Sequence, residues 1–255
     1  MNMQTTNRQS VLTANHRRVD EWFWGHWFER SVHRSFSRGL LRGYENALAC
    51  VPATSGRSVV MYCTHGSWWD AAVVMTLALR VLRIRSFGMM EYKQLVRYPF
   101  FRRIGLFSVV REDPRSALES LHYAGTMLST TPNMLWMFPQ GTLRHQDLRP
   151  LHLEPGLGLL ARHVPSILLC PVSLRYDFVL EQRPELRIDI GEAHEARGDI
   201  RSTTADCEQR LTELAERTRQ AALNNDTEGW QVFHHGPLSM EKQFDRVKRV
   251  ILRRP

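Results

Sequence analysis

The chain has 255 residues, enough for one large domain or for one domain with a small appendage. Hydrophobic residues make up 43% and charged residues 24%, which is ordinary for a globular protein and excludes a chain that is wholly disordered, collagen-like or coiled-coil. The formal net charge is +8, and only three of the 34 basic residues are lysine. Nucleic acid, an anionic membrane surface and a phosphorylated small substrate are therefore the partners to consider.

The same composition bears on location. No stretch reaches the roughly 18 apolar residues of a membrane-spanning helix, and the N-terminus lacks the apolar core of a signal peptide. The cysteines are scattered without a CxxC pair, at Cys50, Cys63, Cys170 and Cys207. This pattern predicts neither a disulfide framework nor a zinc site, so we expect a cytoplasmic protein that binds no metal.

The first predicted element is an amphipathic helix from about Asp20 to Tyr44. Apolar residues recur there at every fourth position, and arginines recur on another face. Three tryptophans fall within six residues, at Trp22, Trp24 and Trp27, and tryptophan is favoured at membrane interfaces. We therefore predict that residues 1–44 form a tail and a helix, which either lies in a membrane interface or packs on its own domain.

Beyond Gly56, short β-like runs alternate with helical stretches. The predicted strands are 58–64, 84–89, 106–110, 134–138, 167–174 and 186–190. The predicted helices are 68–82, 92–103, 114–129, 156–163 and 203–224. This alternation predicts an α/β domain over residues 45–225, with a mixed, largely parallel central sheet flanked by helices. Residues 226–255 are predicted to form a loop and a basic amphipathic helix.

The pair His65 and Asp70 is the strongest catalytic candidate, although the HxxxxD spacing alone arises by chance and recurs at His194 and Asp199. His65 follows an apolar run, so it lies at the carboxyl end of a predicted strand, where open α/β sheets bind ligands. Residues five apart on a helix point about 140° apart, so the side chains meet only if His65 precedes the helix and Asp70 reaches back. The carboxylate then holds one ring nitrogen and leaves the other as a base.

Other interpretations of these histidines remain. His65 also fits a hydrogen-bonded histidine near a helix start with no part in catalysis. His194 lies in a charged loop, where we expect it to be exposed.

A second candidate segment is Phe138-Pro-Gln-Gly-Thr142, which also ends an apolar run. Gly141 permits a close backbone approach, and free amides with a threonine hydroxyl suit an anion, but an ordinary turn fits as well. A GxGxxA string begins at Gly156, but Pro155 precedes it where a dinucleotide-binding loop needs a strand. Cys63 is two residues from His65, yet a cysteine within a strand is usually buried packing rather than a nucleophile.

Taken together, these motifs resemble the lysophospholipid acyltransferase family, which acylates lysophosphatidic acid and glycerol phosphate. The likeness extends over roughly residues 38–192, and its blocks follow one another in the family's order and spacing. They are Gly43-Tyr-Glu-Asn46, His65 with Asp70, Gly105-Leu-Phe-Ser-Val-Val-Arg111, Phe138-Pro-Gln-Gly-Thr142, Leu153-Glu-Pro-Gly156 and Val164-Pro-Ser-Ile-Leu-Leu-Cys-Pro-Val172.

The resemblance implies an O-acyltransferase in which His65 is the general base and Asp70 orients it. It assigns the acceptor headgroup to Arg111, Gln140, Gly141 and Thr142. It also implies acyl-CoA or an acyl-carrier protein as the acyl donor, no permanently bound cofactor, a lipid acceptor and a membrane surface as partner. The expected location is then peripheral, on the inner face of the cell membrane.

Three positions depart from the family pattern. Thr64 replaces the usual Asn before the histidine, Gln140 replaces Glu, and Leu143 stands where Arg is common. The last two changes fall where the family handles the acceptor. A lysophospholipid and a glycolipid or glycosylated isoprenoid therefore both remain candidate acceptors.

The sequence is also compatible with two other classes of function. The basic charge permits a nucleic-acid-binding protein, but the arginines are dispersed and no zinc-finger, RRM-like or helix-turn-helix signature is present, so we expect no nucleic-acid partner. A non-catalytic lipid-binding protein is also possible. The presence of both His65 and Asp70 argues against it.

Overall fold

The fold is described from a computed structural model, which covers residues 10–110, 113–178 and 181–251. The helices are α1 (Arg18–Ser35), α2 (Tyr44–Cys50), α3 (Pro52–Ser55), α4 (Asp70–Thr76), α5 (Tyr92–Arg97), α6 (Pro114–Thr130), α7 (Gly156–His163), α8 (Ile200–Leu223) and α9 (Met240–Ile251). A π-helical turn, Leu77–Val81, extends α4, and a 3₁₀ turn, Pro99–Ile104, follows α5. The strands are β1 (Arg38–Arg42), β2 (Val59–Cys63), β3 (Phe87–Glu91), β4 (Leu106–Val109), β5 (Met134–Met137), β6 (Leu168–Asp177), β7 (Glu185–Ile190), β8 (His194–Glu195) and β9 (Gln231–His235).

All these strands join one mixed sheet, in the order β4-β3-β5-β2-β6-β7-β1-β9, with β8 paired to β6. The five strands from β4 to β6 in this order are parallel to one another, whereas β7 is antiparallel to β6 and parallel to β1. The predicted mixed, largely parallel sheet flanked by helices is therefore confirmed. Because β2 to β6 are parallel, they all end at the same edge, which we call the carboxyl edge.

Helices cover both faces of the sheet, so the apolar core has two halves. Helices α1, α2 and α4 pack on one face, while α6, α7 and α8 pack on the other. Strand β2 lies in the middle and is buried along its whole length. Its side chains alternate between the two halves, with Met61 in one cluster and Tyr62 in the other. A central strand buried on both faces explains the unbroken apolar run Val-Val-Met-Tyr-Cys.

The N-terminal segment differs from its prediction. Helix α1 ends at Ser35, because Phe36 has an extended backbone with φ −113° and ψ 144°. The apolar residue four positions later, Leu40, lies in β1, where it pairs with Arg187 of β7. The apolar residues at every fourth position therefore continue by coincidence from α1 into β1. The pairing of β1 depends on strands that are distant in sequence, and local periodicity does not indicate such partners.

The GxGxxA residues lie in helix α7, where they serve helix packing. Its first glycine, Gly156, begins the helix after a loop that runs from residue 138 to 155, so no strand leads into it. The second glycine, Gly158, faces α8, where an added Cβ would lie 2.4 Å from the carbonyl oxygen of Ile200. These small residues let two helices approach each other and do not form a dinucleotide loop.

Candidate active site

The turn between β2 and α4 lies at the carboxyl edge and carries the first motif. Strand β2 ends at Cys63, and His65 to Trp69 turn the chain before Asp70 begins α4. The Ser67 backbone N–H donates to Asp70 Oδ2 at 2.9 Å, so the carboxylate accepts a hydrogen bond from the turn in front of its helix. This contact directs the Asp70 side chain back toward His65.

His65 and Asp70 are brought together in the geometry that the spacing requires. His65 Nδ1 lies 2.8 Å from Asp70 Oδ2, and the aspartate is fully buried. An ionised carboxylate can only accept, so the ring proton is assigned to Nδ1 and the lone pair to Nε2. No residue in the described ranges hydrogen-bonds Nε2, and 22% of the His65 side chain is exposed. The ring stacks on Phe138 with centroids 4.3 Å apart.

Phe138 begins the second motif, which braces the backbone of His65. Gln140 is buried, and its Oε1 accepts the His65 backbone N–H at 2.7 Å. The other end of the amide donates to the Leu151 carbonyl at 3.4 Å. The His65 carbonyl in turn accepts the backbone N–H of Arg144 at 2.9 Å. The Gln140 side chain is therefore occupied inside the protein, where it holds the catalytic candidate in place.

The remaining predicted headgroup residues lie at different depths. Gly141 has a φ of 67°, in the left-handed region that favours glycine, and Thr142 is exposed beside it. Leu143 is also exposed, so the outer side of this loop presents a hydroxyl and an apolar side chain. Arg111 lies outside the described residues. Strand β4, which precedes it, ends at Val109 on the carboxyl edge.

The prediction for His194 was wrong. Only 10% of its side chain is exposed, because it lies in β8 against β6, with Nε2 2.9 Å from the Tyr62 hydroxyl. Burial lowers the pKa of His194 below its ordinary value. Asp199, the partner that the HxxxxD spacing suggested, instead caps α8 by accepting the Ser202 backbone N–H at 2.8 Å. The second copy of the pattern thus does not form a pair.

Two more residues complete the surroundings of Asp70. Cys63 is fully buried, and burial raises the pKa of its thiol well above the ordinary value, as expected of a packing residue. Tyr176 was not found from the sequence, yet its hydroxyl donates to Asp70 Oδ1 at 2.7 Å. The predicted strand stopped at Leu174, two residues short of it, and nothing in the local pattern links β6 to the His65 turn. Asp70 thus accepts three hydrogen bonds while fully buried.

The fold and the site together define the class of protein. It is an α/β protein with a mixed sheet, and a buried aspartate and a part-exposed histidine form a site at the carboxyl edge of that sheet. The sequence matches the family model described as Acyltransferase over residues 41–175, a range that contains the end of β1, all of β2 to β5, both motifs and most of β6. The chain belongs to this acyltransferase family. It is accordingly a transferase of lipid metabolism that moves an acyl group from a donor to a lipid acceptor. A comparison with curated protein sequences gave no match.

Proposed function

We propose that the protein transfers a fatty acyl chain from acyl-CoA or acyl-carrier protein to a hydroxyl group of a lysophospholipid or a related lipid. The observation that carries the proposal is the pair of His65 and Asp70. The carboxylate faces Nδ1 at 2.8 Å, which leaves Nε2 with its lone pair in a side chain that is 22% exposed. That nitrogen is placed to accept a proton from an acceptor hydroxyl.

In the proposed reaction, His65 Nε2 removes the proton of the acceptor hydroxyl as its oxygen attacks the thioester carbonyl carbon. The tetrahedral intermediate collapses, the carbon–sulfur bond breaks, and the thiolate leaves and takes up the proton from the imidazolium. Asp70 stabilises the positive charge that His65 carries between these steps. A positioned base of this kind is worth roughly 10²–10⁴ in rate. No covalent enzyme intermediate is needed.

The acceptor has two candidate classes. The family resemblance favours a lysophospholipid, with Arg111 at its phosphate. The exposed side of the second motif favours a glycolipid or glycosylated isoprenoid, because it offers the Thr142 hydroxyl and the Leu143 side chain, while Gln140 is occupied by the His65 backbone. The panel of acceptors in the experiment below separates the two classes.

The protein is also proposed to work at the inner surface of the cell membrane. In the residues the structure describes, no helix is both long and apolar enough to cross a bilayer. Helix α1, however, exposes Trp22, Phe23 and Trp27 while Arg30 and Arg34 lie exposed on the same helix. Aromatic side chains suit the headgroup region, and each arginine near an anionic surface adds about 1 kcal/mol. A lipid acceptor would be reached from this surface.

The test is thiol release from a long-chain acyl-CoA, and from acyl-carrier protein, with lysophosphatidic acid, other lysophospholipids and glycolipids as acceptors. His65→Ala is expected to lower acceptor-dependent release at least 100-fold. His194→Ala is the matched control, since it removes a part-buried histidine of the same spacing pattern that faces Tyr62 rather than Asp70. Equal release by all three proteins would refute the assignment of the base. No release with any donor and acceptor would refute the reaction.

A further inference from the structure

The carboxylate of Asp70 receives a hydrogen bond from outside both sequence motifs. Two of its three donors, His65 Nδ1 and the Ser67 backbone N–H, belong to its own turn and share Oδ2. The third is the hydroxyl of Tyr176, which donates to Oδ1 at 2.7 Å from the far end of β6. Each oxygen of the buried carboxylate is therefore held separately, and the Tyr176 contact fixes the rotation of the carboxylate plane that faces His65.

The backbone of Tyr176 is held on both sides, by β7 on one side and, where β2 has ended, by side chains on the other. Strand β2 pairs with β6 only up to Cys63, which is opposite Val172. Beyond that point two side chains continue the ladder. The Thr64 hydroxyl accepts the Leu174 N–H at 2.9 Å, while the side-chain amide of Gln146 accepts the Tyr176 N–H at 3.1 Å and donates to the Tyr176 carbonyl at 3.0 Å.

This arrangement leaves space beside the end of β6 while the β6 backbone stays hydrogen-bonded. The main chain leaves the sheet after β2 and forms the His65 turn, while β6 continues as a strand to Asp177. The Tyr176 ring also packs against Phe36, with centroids 5.5 Å apart. A phenol held at its backbone and at its ring presents the hydroxyl from one position, which is the condition for a preorganised contact.

The electrostatic surroundings keep this phenol a donor. Burial and the adjacent carboxylate raise the pKa of Tyr176 well above its ordinary value, so the hydroxyl stays protonated at working pH. His65 and Tyr176 hydrogen-bond to Asp70, and the Cys63 thiol interacts with it electrostatically, while burial raises the pKa of that thiol and keeps it neutral. Arg175, the preceding residue of β6, is engaged by Asp147 and Asp177. Tyr176 therefore keeps the proton that it donates to Asp70.

We infer that Tyr176 is a positioning residue of this acyltransferase, which acts through Asp70 to orient His65 and to moderate how strongly the carboxylate favours the imidazolium. The inference rests on the proposed role of His65 as base. A hydroxyl that donates to Asp70 disperses the negative charge of the carboxylate. With that donor removed, the carboxylate attracts a proton on His65 more strongly and is also free to rotate.

The experiment compares Tyr176→Phe with the wild-type enzyme in the acyl-CoA assay across pH 5–9. We expect kcat to fall about tenfold with KM changed less than twofold, and the acid limb of the kcat/KM profile to move about half a unit toward higher pH. The upward direction follows because a carboxylate with fewer donors stabilises protonated His65, so the free base appears at higher pH.

Tyr62→Phe is the matched control. It removes a hydroxyl from another buried tyrosine, whose partner is His194 on the opposite side of the sheet. A purely structural loss would lower the thermal midpoint in both variants and leave both pH profiles unchanged. Such a result for Tyr176→Phe would overturn the inference. A second variant, Gln146→Ala, keeps the hydroxyl but removes the two side-chain contacts to the Tyr176 backbone, and it should produce a smaller shift in the same direction.

A readout independent of turnover separates this inference from the proposed reaction. The titration of the His65 ring is followed by NMR, with its signal assigned through His65→Ala. If the wild type shows no acyl transfer yet the titration midpoint rises in Tyr176→Phe, the reaction is wrong and the coupling stands. If the midpoint and the pH profile are both unchanged in Tyr176→Phe and in Gln146→Ala, Tyr176 has no positioning role.

Discussion

Gln140 connects the two motifs through a single side chain. Its Oε1 accepts the backbone N–H of His65, and its Nε2 approaches the Leu151 carbonyl, with the side chain buried between them. The neutral amide suits both contacts, because one end accepts and the other donates. A glutamate here, as in most of the family by resemblance, has no proton to donate to Leu151 when ionised. The replacement therefore agrees with the local hydrogen bonding.

Gln140→Leu tests this bracing role. Leucine has a similar size but leaves the buried N–H of His65 without its acceptor, so we expect the free energy of unfolding to fall by about 1–3 kcal/mol. Catalysis should suffer as well, with kcat lowered about tenfold because the His65 ring loses its fixed position. Thermal unfolding and the thiol-release assay measure the two effects.

The control for this substitution is Gln220→Leu, which changes an exposed glutamine on α8 whose side chain hydrogen-bonds to Glu216. It should change stability by less than about 0.5 kcal/mol. If Gln140→Leu were as harmless as this control, the side chain would have no bracing role, and a direct contact with the acceptor would again be open.

At the residue scale, the sequence predicted the pairing of His65 with Asp70 but not their supporting contacts. The spacing and the position after an apolar run are local features, so they are visible in the chain. The inward direction of Gln140 and the approach of Tyr176 depend on how β5 and β6 flank β2. Those contacts span 75 and 106 residues, and no local pattern records them.

At the scale of elements, the packing of α7 against α8 depends on one glycine. An added Cβ at Gly158 would meet the backbone oxygen of Ile200, which cannot move aside as a flexible side chain can. Gly25 in α1 is a useful contrast, since its nearest neighbours are the side chains of Leu79 and Arg80 at 3.4 Å. The two helical glycines thus differ in whether alanine fits.

Gly158→Ala is expected to lower the free energy of unfolding by about 1–3 kcal/mol, because α8 must shift away from α7. Gly25→Ala should be neutral or stabilise by up to about 1 kcal/mol, as alanine favours a helix more than glycine does. Urea unfolding of both variants measures the difference. The helix-packing explanation fails if Gly158→Ala is as stable as Gly25→Ala.

Strands β2 to β7 and helices α4 to α8 were predicted to within a few residues, when the π-helical and 3₁₀ turns after α4 and α5 are counted with them, because each is a compact apolar or periodic run. Strands β1, β8 and β9 were not predicted. Strand β1 contains a glycine and two arginines, and it becomes a strand by pairing with β7 and β9. Strand β9 is mostly exposed and has no alternating apolar pattern. Their pairing is set by the whole sheet rather than by their own composition.

For the whole molecule, the exposed aromatic residues of α1 are the feature that points to a surface. Trp24 stacks on Phe100 at 3.8 Å, and Phe28 is buried, so the helix is anchored to the domain while Trp22, Phe23 and Trp27 face outward. Helix α1 thus packs on the domain and still presents an outward aromatic face, while its binding in a membrane interface stays a prediction. Helix α1 also packs on α4, the helix that begins with Asp70.

The variant Trp22→Ser with Phe23→Ser and Trp27→Ser is expected to lose at least tenfold of the wild-type affinity for vesicles containing phosphatidylglycerol, because the aromatic contact area is removed. Flotation of protein with the vesicles measures the bound fraction. The same change at three exposed apolar residues elsewhere, Leu118, Phe178 and Leu223, is the control and should leave flotation unchanged. Equal flotation of both variants, or tighter binding to duplex DNA at the same salt, would contradict membrane docking.

The place of β1 in the sheet has a consequence for synthesis. Its residue Gly39 pairs with Leu186 of β7 and with His234 of β9, so both neighbours emerge from the ribosome long after it. At roughly 5–20 residues per second, β1 waits on the order of ten seconds or more for its first partner. During that interval the apolar residues Leu40 and Leu41 and the backbone around them stay unpaired, so this segment is open to strand pairing with other nascent chains. Soluble yield should therefore depend on chaperones that cover this segment and on slow production at low temperature.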